Sequence, residues 1–226
     1  MAERMVQLLF SVGNLLWLAV YIMIIRVGLR DRTYGMPLLA LCGNLSWEAN
    51  YAFIRHYNMP LSLTSLIWLL LDCAILYTVV RFGPAQFPWL PRWLFFCGLG
   101  VMMAMCCVGM EVLIRYFEAG GREAGGNYSG LTQNLLMSAL FLSMLVHRRS
   151  TSGQSMAIAV CKALPTALGA AAVYLWVKDG GVESSPLLIF LGGSTLVLDM
   201  SYVAGVWAVR RSTAAVAAGT PVAATA

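Results

Sequence analysis

The chain has 226 residues, 60% of them hydrophobic and 11% charged, with a mean hydropathy of +0.75 and a formal net charge of +5. A soluble domain is nearer half apolar and a quarter charged, so an ordinary soluble enzyme is excluded. The basic excess lies at the ends of apolar blocks, where it orients helices in a bilayer, and so indicates no nucleic-acid partner.

The apolar residues gather into blocks of roughly 18 to 25, the length that crosses a ~30 Å hydrocarbon core as an α-helix. The first block, about 6–25, is followed by RVGLRDR rather than a small-residue cleavage site, and reads as a membrane helix, not a signal peptide. Further spans are expected at about 35–54, 61–80, 93–114, 129–147, 156–177 and 186–209. The fold class is therefore an all-α membrane protein, a bundle of seven transmembrane helices in one domain, 1–211. The glycines of RYFEAGGREAGGNY (115–128) read as a flexible connector. Residues 212–226, STAAVAAGTPVAATA, read as a disordered Ala-rich tail. No internal repeat of the kind found in many transporters is visible.

Orientation follows from the basic residues. The first, third and fifth connections and the tail hold nine: Arg26, Arg30, Arg32, Arg81, Arg92, Arg148, Arg149, Arg210 and Arg211. The opposite side holds five: Arg4, Arg55, Arg115, Arg122 and Lys178. The positive-inside rule makes the N-terminus non-cytoplasmic and the C-terminus cytoplasmic. All six cysteines (Cys42, Cys73, Cys97, Cys106, Cys107, Cys161) fall inside spans, and His56 and His147 lie at helix ends, far apart in sequence. Neither a metal site nor a cofactor is expected.

Five ionisable residues remain within the spans: Glu48, Asp72, Glu111, Lys162 and Asp199. Glu111 is about one turn from a helix end and can reach the interface. Lys162 can either snorkel towards the membrane surface or serve as counter-ion to a buried acid. Glu48, Asp72 and Asp199 lie too deep for a short carboxylate to reach bulk water at ~1.5 Å of rise per residue, so each must face the bundle interior. One such acid is readily explained as a polar tie between helices; three favour a functional site.

Their neighbours share helical faces. Asn44, Glu48, Tyr51 and Arg55 form one stripe; Thr195, Asp199 and Tyr202 form another; Ser65, Trp68 and Asp72 a third. Gln7, Ser11, Asn14 and Tyr21 line the first span, and Asn134 and Ser138 pair on the fifth. Turned inward, these stripes make a pocket of acids, amides and rings. Burial disfavours the charged form of a carboxylic acid, and an acid that keeps its proton can act as a general acid. Aromatic faces attract cations. An acid that protonates an alkene or epoxide, beside rings that steady a carbocation, is equipment for polyene cyclisation.

GNLSWE (43–48), WLLLD (68–72), QNLLMSALFLSMLVHRRSTSGQS (133–155) and LDMSYV (198–203) together resemble the integral-membrane terpene cyclases of meroterpenoid and indole-diterpene pathways. Those of pyripyropene and paspaline synthesis are fungal examples, and bacterial relatives exist. The resemblance spans the second to the seventh helix. It implies a seven-helix enzyme that cyclises a prenyl chain already attached to another scaffold, with the needed acids mapping onto Glu48 and Asp199 and a supporting acid onto Asp72. The chain has neither the DxDD nor the DDxxD pattern of soluble terpene cyclases, which fits substrates that have already lost their diphosphate. On this reading a pair involving Glu48 and Asp199 protonates the substrate. The groove around it contains Asn44, Trp47, Tyr51, Trp68, Asn134 and Tyr202. The implied partners are a hydrophobic prenylated small molecule and the lipid bilayer, with a prenyltransferase and an epoxidase as functional neighbours.

Three other readings use the same residues. A proton-coupled small-molecule transporter or channel would also need intramembrane acids with amide neighbours. A retinal-type protein is suggested only by seven spans and Lys162, which is in the sixth span rather than the last. A non-catalytic scaffold subunit would tolerate neutralisation of all three deep acids.

Overall fold

A computed structural model describes residues 2–55, 61–178 and 185–217. Seven α-helices follow in chain order: α1 (Ala2–Asp31), α2 (Leu38–Ala49), α3 (Leu61–Phe82), α4 (Arg92–Glu118), α5 (Arg122–Arg148), α6 (Met156–Lys178) and α7 (Pro186–Ala217). A π turn, Asn50–Ile54, continues α2, and a 3-10 turn, Gly83–Gln86, follows α3. Among the described residues six helices are long and apolar enough to cross a membrane; α2, with 12 residues, is the exception.

The helices close into a ring. Helix α1 packs on α6 and α3, α3 on α2, α2 on α4, α4 on α5, α5 on α7, and α7 returns to α6. α2 also meets α5 across the ring. It is the innermost helix, with Ala40 to Ser46 and Glu48 all buried. α4 is the opposite case: Val101, Met105, Val108 and Val112 face outward, Met105 with 70% of its surface exposed. A row of exposed apolar side chains would be a liability in water, and in a bilayer it is the lipid-facing surface.

The two ends are tied differently. At the end holding the first, third and fifth connections, Asp31 accepts a hydrogen bond from the Gly153 amide at 2.9 Å, and Arg148 donates to the Tyr34 carbonyl at 2.9 Å. A Cβ on Gly35 would meet the Gly153 carbonyl at 2.5 Å, so these two connections approach as closely as they do only because both residues are glycine. At the opposite end Arg55 pairs with Glu111 at 2.7 Å and with Glu118 at 2.8 Å, tying the π turn to α4.

The connector expected at 115–128 is mostly helix. α4 runs to Glu118, the chain reverses through 119–121 with Gly121 at φ 116°, and α5 starts at Arg122. Gly125 is close-packed, since a Cβ there would meet Glu118 at 2.5 Å, and Gly126 and Gly130 lie in ordinary contact with Tyr51 and Trp47. The last helix also continues past the expected boundary, through 212–217. The remainder of the tail, 218–226, and His56 lie outside the described residues.

Candidate active site

Two buried polar clusters occupy the bundle interior. The first joins α1, α2, α3 and α5. Tyr21 Oη donates to Glu48 Oε1 at 3.1 Å and accepts from Asn44 Nδ2 at 2.7 Å. Gln133 Nε2 donates to Asn44 Oδ1 and to the Ala40 carbonyl, each at 2.9 Å. Gly43 makes this crossing possible, because a Cβ there would meet Gln133 Oε1 at 2.3 Å. The Asp72 carboxyl is fully buried beside the Glu48 carboxyl and the Asn44 carboxamide. The two carboxyls face each other within reach of a shared proton, and among the described residues neither acid makes an ion pair.

The second cluster joins α5, α6 and α7 and pairs its acid with a cation. Lys162 Nζ donates to Asp199 Oδ1 at 2.5 Å and to Ser138 Oγ at 2.6 Å. Thr166 Oγ1 donates to Asp199 Oδ2 at 2.7 Å and accepts from Asn134 Nδ2 at 3.3 Å. The ammonium also lies over the rings of Trp17 (5.8 Å) and Phe141 (5.6 Å). Both charges are fully desolvated, and each has the partners that a buried ion needs.

A two-lobed cavity runs between the clusters. The small lobe, about 160 Å³, is walled by Glu48, Tyr21, Asn44 and Gln133 on its polar side and by Trp17, Trp47 and Trp68 on its aromatic side. The large lobe, about 540 Å³, lies between α1, α6 and α7 and has no charged residue in its wall among the described residues. Trp17, Trp68, Leu131 and Asn134 line both lobes and so form their junction. Asn134 Oδ1 is buried there without a partner among the described residues. Gly169, Gly192 and Gly193 face open space where side chains would otherwise stand, which keeps the large lobe wide. Tyr174 and Ile189 line it and are mostly exposed, so it opens on the lipid face between α6 and α7.

Of the residues expected at the site, Glu48, Asn44, Trp47, Trp68 and Asn134 reach the cavity. Asp72 stands behind Glu48. Asp199 is not beside Glu48; its two oxygens are engaged by Lys162 and Thr166, and Lys162 takes the counter-ion role rather than snorkelling. Tyr202 and Tyr51 do not line the cavity. Tyr202 is buried against Phe141 and donates to Gln154 Oε1 at 3.0 Å, and Tyr51 packs on Trp47, Met110 and Ile114. Glu111 pairs with Arg55 and Arg115 near the membrane surface. Trp17, Gln133 and Thr166 also line the cavity, without an expectation from the sequence. Gln133 begins the QNLL motif, and Trp17 lies three residues beyond Asn14 on the same stripe, so each left a trace in the sequence.

No solved structure matches the chain. Among curated proteins, the Pyr4-family terpene cyclase mfmH of Annulohypoxylon moriforme is 29% identical, covering 84% of this chain and 80% of its own length. Terpene cyclase dpasB of Apiospora sacchari is 30% identical over 91% of this chain and 85% of its own. Terpene cyclase ascF of Acremonium egyptiacum is 30% identical over 85% and 77%. Residues 2–212 match one family along almost their whole course, and the chain belongs to the Pyr4-like transmembrane terpene cyclases.

Proposed function

We propose that Glu48 is the proton donor of a cation-driven cyclisation in which the end of a prenyl chain occupies the small lobe and the scaffold that bears it occupies the large one. The carboxyl O–H of Glu48 is transferred to the terminal alkene carbon, or to the oxygen of a terminal epoxide, whose C–O bond then opens. The resulting carbocation is steadied by the faces of Trp17, Trp47 and Trp68, and successive double bonds close rings. Loss of a proton or capture by an internal nucleophile ends the cascade, so the net reaction is an isomerisation.

The observation that carries this reading is the Glu48 carboxyl, backed by a second acid and without an ion-pair partner among the described residues, at the wall of a cavity otherwise lined by rings and amides. Two adjacent carboxyls with no cation beside them cannot both ionise at low cost, so the Glu48–Asp72 pair holds a proton available for transfer. Tyr21, Asn44 and Gln133 fix the Glu48 carboxyl. Asp199 acts as a positioning residue through Lys162 and Thr166, rather than as the donor. The prenylated substrate reaches the site from the bilayer through the α6–α7 face. A prenyltransferase, and for epoxide substrates an epoxidase, supplies it. The N-terminus is non-cytoplasmic and the C-terminus cytoplasmic, in keeping with the arginines of the first, third and fifth connections.

The test is incubation of membranes containing the protein with prenylated aromatic and indole compounds, with and without a terminal epoxide, in heavy water. The expected product has unchanged formula and shifted retention. One non-exchangeable deuterium marks alkene protonation; its absence marks the epoxide route, where the deuteron lands on an exchangeable hydroxyl. Full activity in a folded Glu48→Gln variant would overturn the assignment of the donor.

A further inference from the structure

A third concavity lies far from the acids, at the end that holds the first, third and fifth connections. It is a depression of about 760 Å³ with Arg32, Arg81 and Arg92 on its wall and Leu29, Phe82 and Phe87 among its apolar residues. The arginines come from three elements: Arg32 from the residue after α1, Arg81 from the last turn of α3, Arg92 from the start of α4. No acidic residue lines it, and none of the three arginines makes an ion pair among the described residues. The nearest acid in sequence, Asp31, is held by Arg30 at 2.7 Å and by the Gly153 amide.

Two further observations fix its depth and its demand for charge. Trp89 and Trp93, in and just after its rim segment, are 76% and 67% exposed. Exposed tryptophans at a helix end mark the headgroup level of a bilayer. Arg32 also adopts a left-handed backbone, φ 51°, at a helix C-terminus where glycine is the comfortable residue. An arginine there keeps a guanidinium at the rim that glycine would not supply.

Converging guanidiniums above an apolar floor, at headgroup depth and without acids, suit an amphiphile with a phosphate head, since the arginine fork matches phosphate oxygens. We propose that this depression binds the phosphate headgroup of an anionic membrane lipid, with the upper acyl chain against Phe82 and Phe87. The site is independent of the cyclisation chemistry.

The test uses the purified full chain in a nonionic detergent, titrated with phosphatidylglycerol or with phosphatidylcholine of the same acyl chains. Retained lipid is counted by native mass spectrometry, and inorganic phosphate is titrated in a parallel arm. Phosphatidylglycerol should be retained at least roughly tenfold better. That preference should vanish in Arg32→Gln/Arg81→Gln/Arg92→Gln and persist in the charge-matched Arg26→Gln/Arg210→Gln/Arg211→Gln. Equal retention of the two lipids would overturn the proposal, as would equal loss in the two variants. Binding of inorganic phosphate as tight as that of the lipid would reassign the site to a free anion.

Discussion

The two buried clusters are each built around a deep carboxyl and treat it in opposite ways. Around Asp199 a cation and a hydroxyl account for both carboxylate oxygens, and a second hydroxyl and an amide hold those two groups in turn. Around Glu48 and Asp72 two acids face each other, and among the described residues neither has a cation paired with it. A buried ion pair whose partners are complete gives a fixed arrangement, and its loss is felt in the fold. An acid left without a cation in a low-dielectric interior is costly and persists where chemistry uses it. The difference separates the residue that transfers a proton from the residue that holds the wall, although both are deep carboxyls in one membrane protein.

The largest effect should come from Glu48→Gln, which keeps the hydrogen bond from Tyr21 and removes the proton. Product formation by membranes should fall about a thousandfold, the range of a lost general acid, with the thermal transition in detergent unchanged. Residual activity above a tenth of the parent would erase the contrast between the clusters.

Lys162→Met should act mainly on the fold. It leaves Asp199 buried without its cation, costing about 3–5 kcal/mol, read as a lowered midpoint in denaturant-titrated micelles. The double variant Lys162→Met/Asp199→Leu should recover most of that loss. If Asp199→Asn lost activity while remaining as stable as the parent, Asp199 would be acting in the reaction rather than through its neighbours.

How much of this was legible in the sequence depended on the kind of information required. That Glu48, Asp72, Lys162 and Asp199 are special follows from hydropathy alone, because each interrupts a run that otherwise belongs in lipid. Which acid faces which partner does not, since a stripe at i, i+3 and i+4 defines a face without naming the helix opposite. Tyr202 is three residues from Asp199 yet turns to Phe141 and to Gln154 in the fifth connection. Tyr51 and Arg55 were expected to continue the Asn44–Glu48 face. The backbone changes to π winding at Asn50, which adds a residue to the turn and re-phases everything after it. The seven helices were legible, with α1, α5 and α7 running several residues beyond the expected spans. The 115–128 segment was misread because glycine signals both loops and close helix contacts, and only the packed partners Glu118, Tyr51 and Trp47 tell the two apart.

Tyr21→Phe removes one hydrogen bond from Glu48 and leaves the acid in place. A several-fold drop in rate, equivalent to about 1 kcal/mol, with no change of product, would show that the tyrosine orients the acid. A loss as large as that of Glu48→Gln would make the phenol part of the proton path.

The smallest overall effect is expected from Gly192→Leu, in the large lobe. Helix propensity favours the leucine by about 1 kcal/mol, so stability should hold or rise. Turnover of substrates with bulky scaffolds should fall several-fold against those with small ones, in a paired competition assay. Equal turnover would place the scaffold elsewhere.

The shortness of α2 bears on how the protein is made. Its 12 α-helical residues and five-residue π turn reach about 25 Å at ~1.5 Å of rise per residue, short of a ~30 Å hydrocarbon core. They also place Asn44, Ser46 and Glu48 in mid-segment. Such a segment is a poor substrate for the translocon by itself. It is expected to settle into the bilayer only after α3, α4 and α5 have emerged to receive it, so that assembly of the acid site and insertion of its central helix are one event. Glycosylation reporters fused after Ile54 and after Arg148 would follow this, with α2 spanning in the longer fusion and left at the membrane surface in the shorter one.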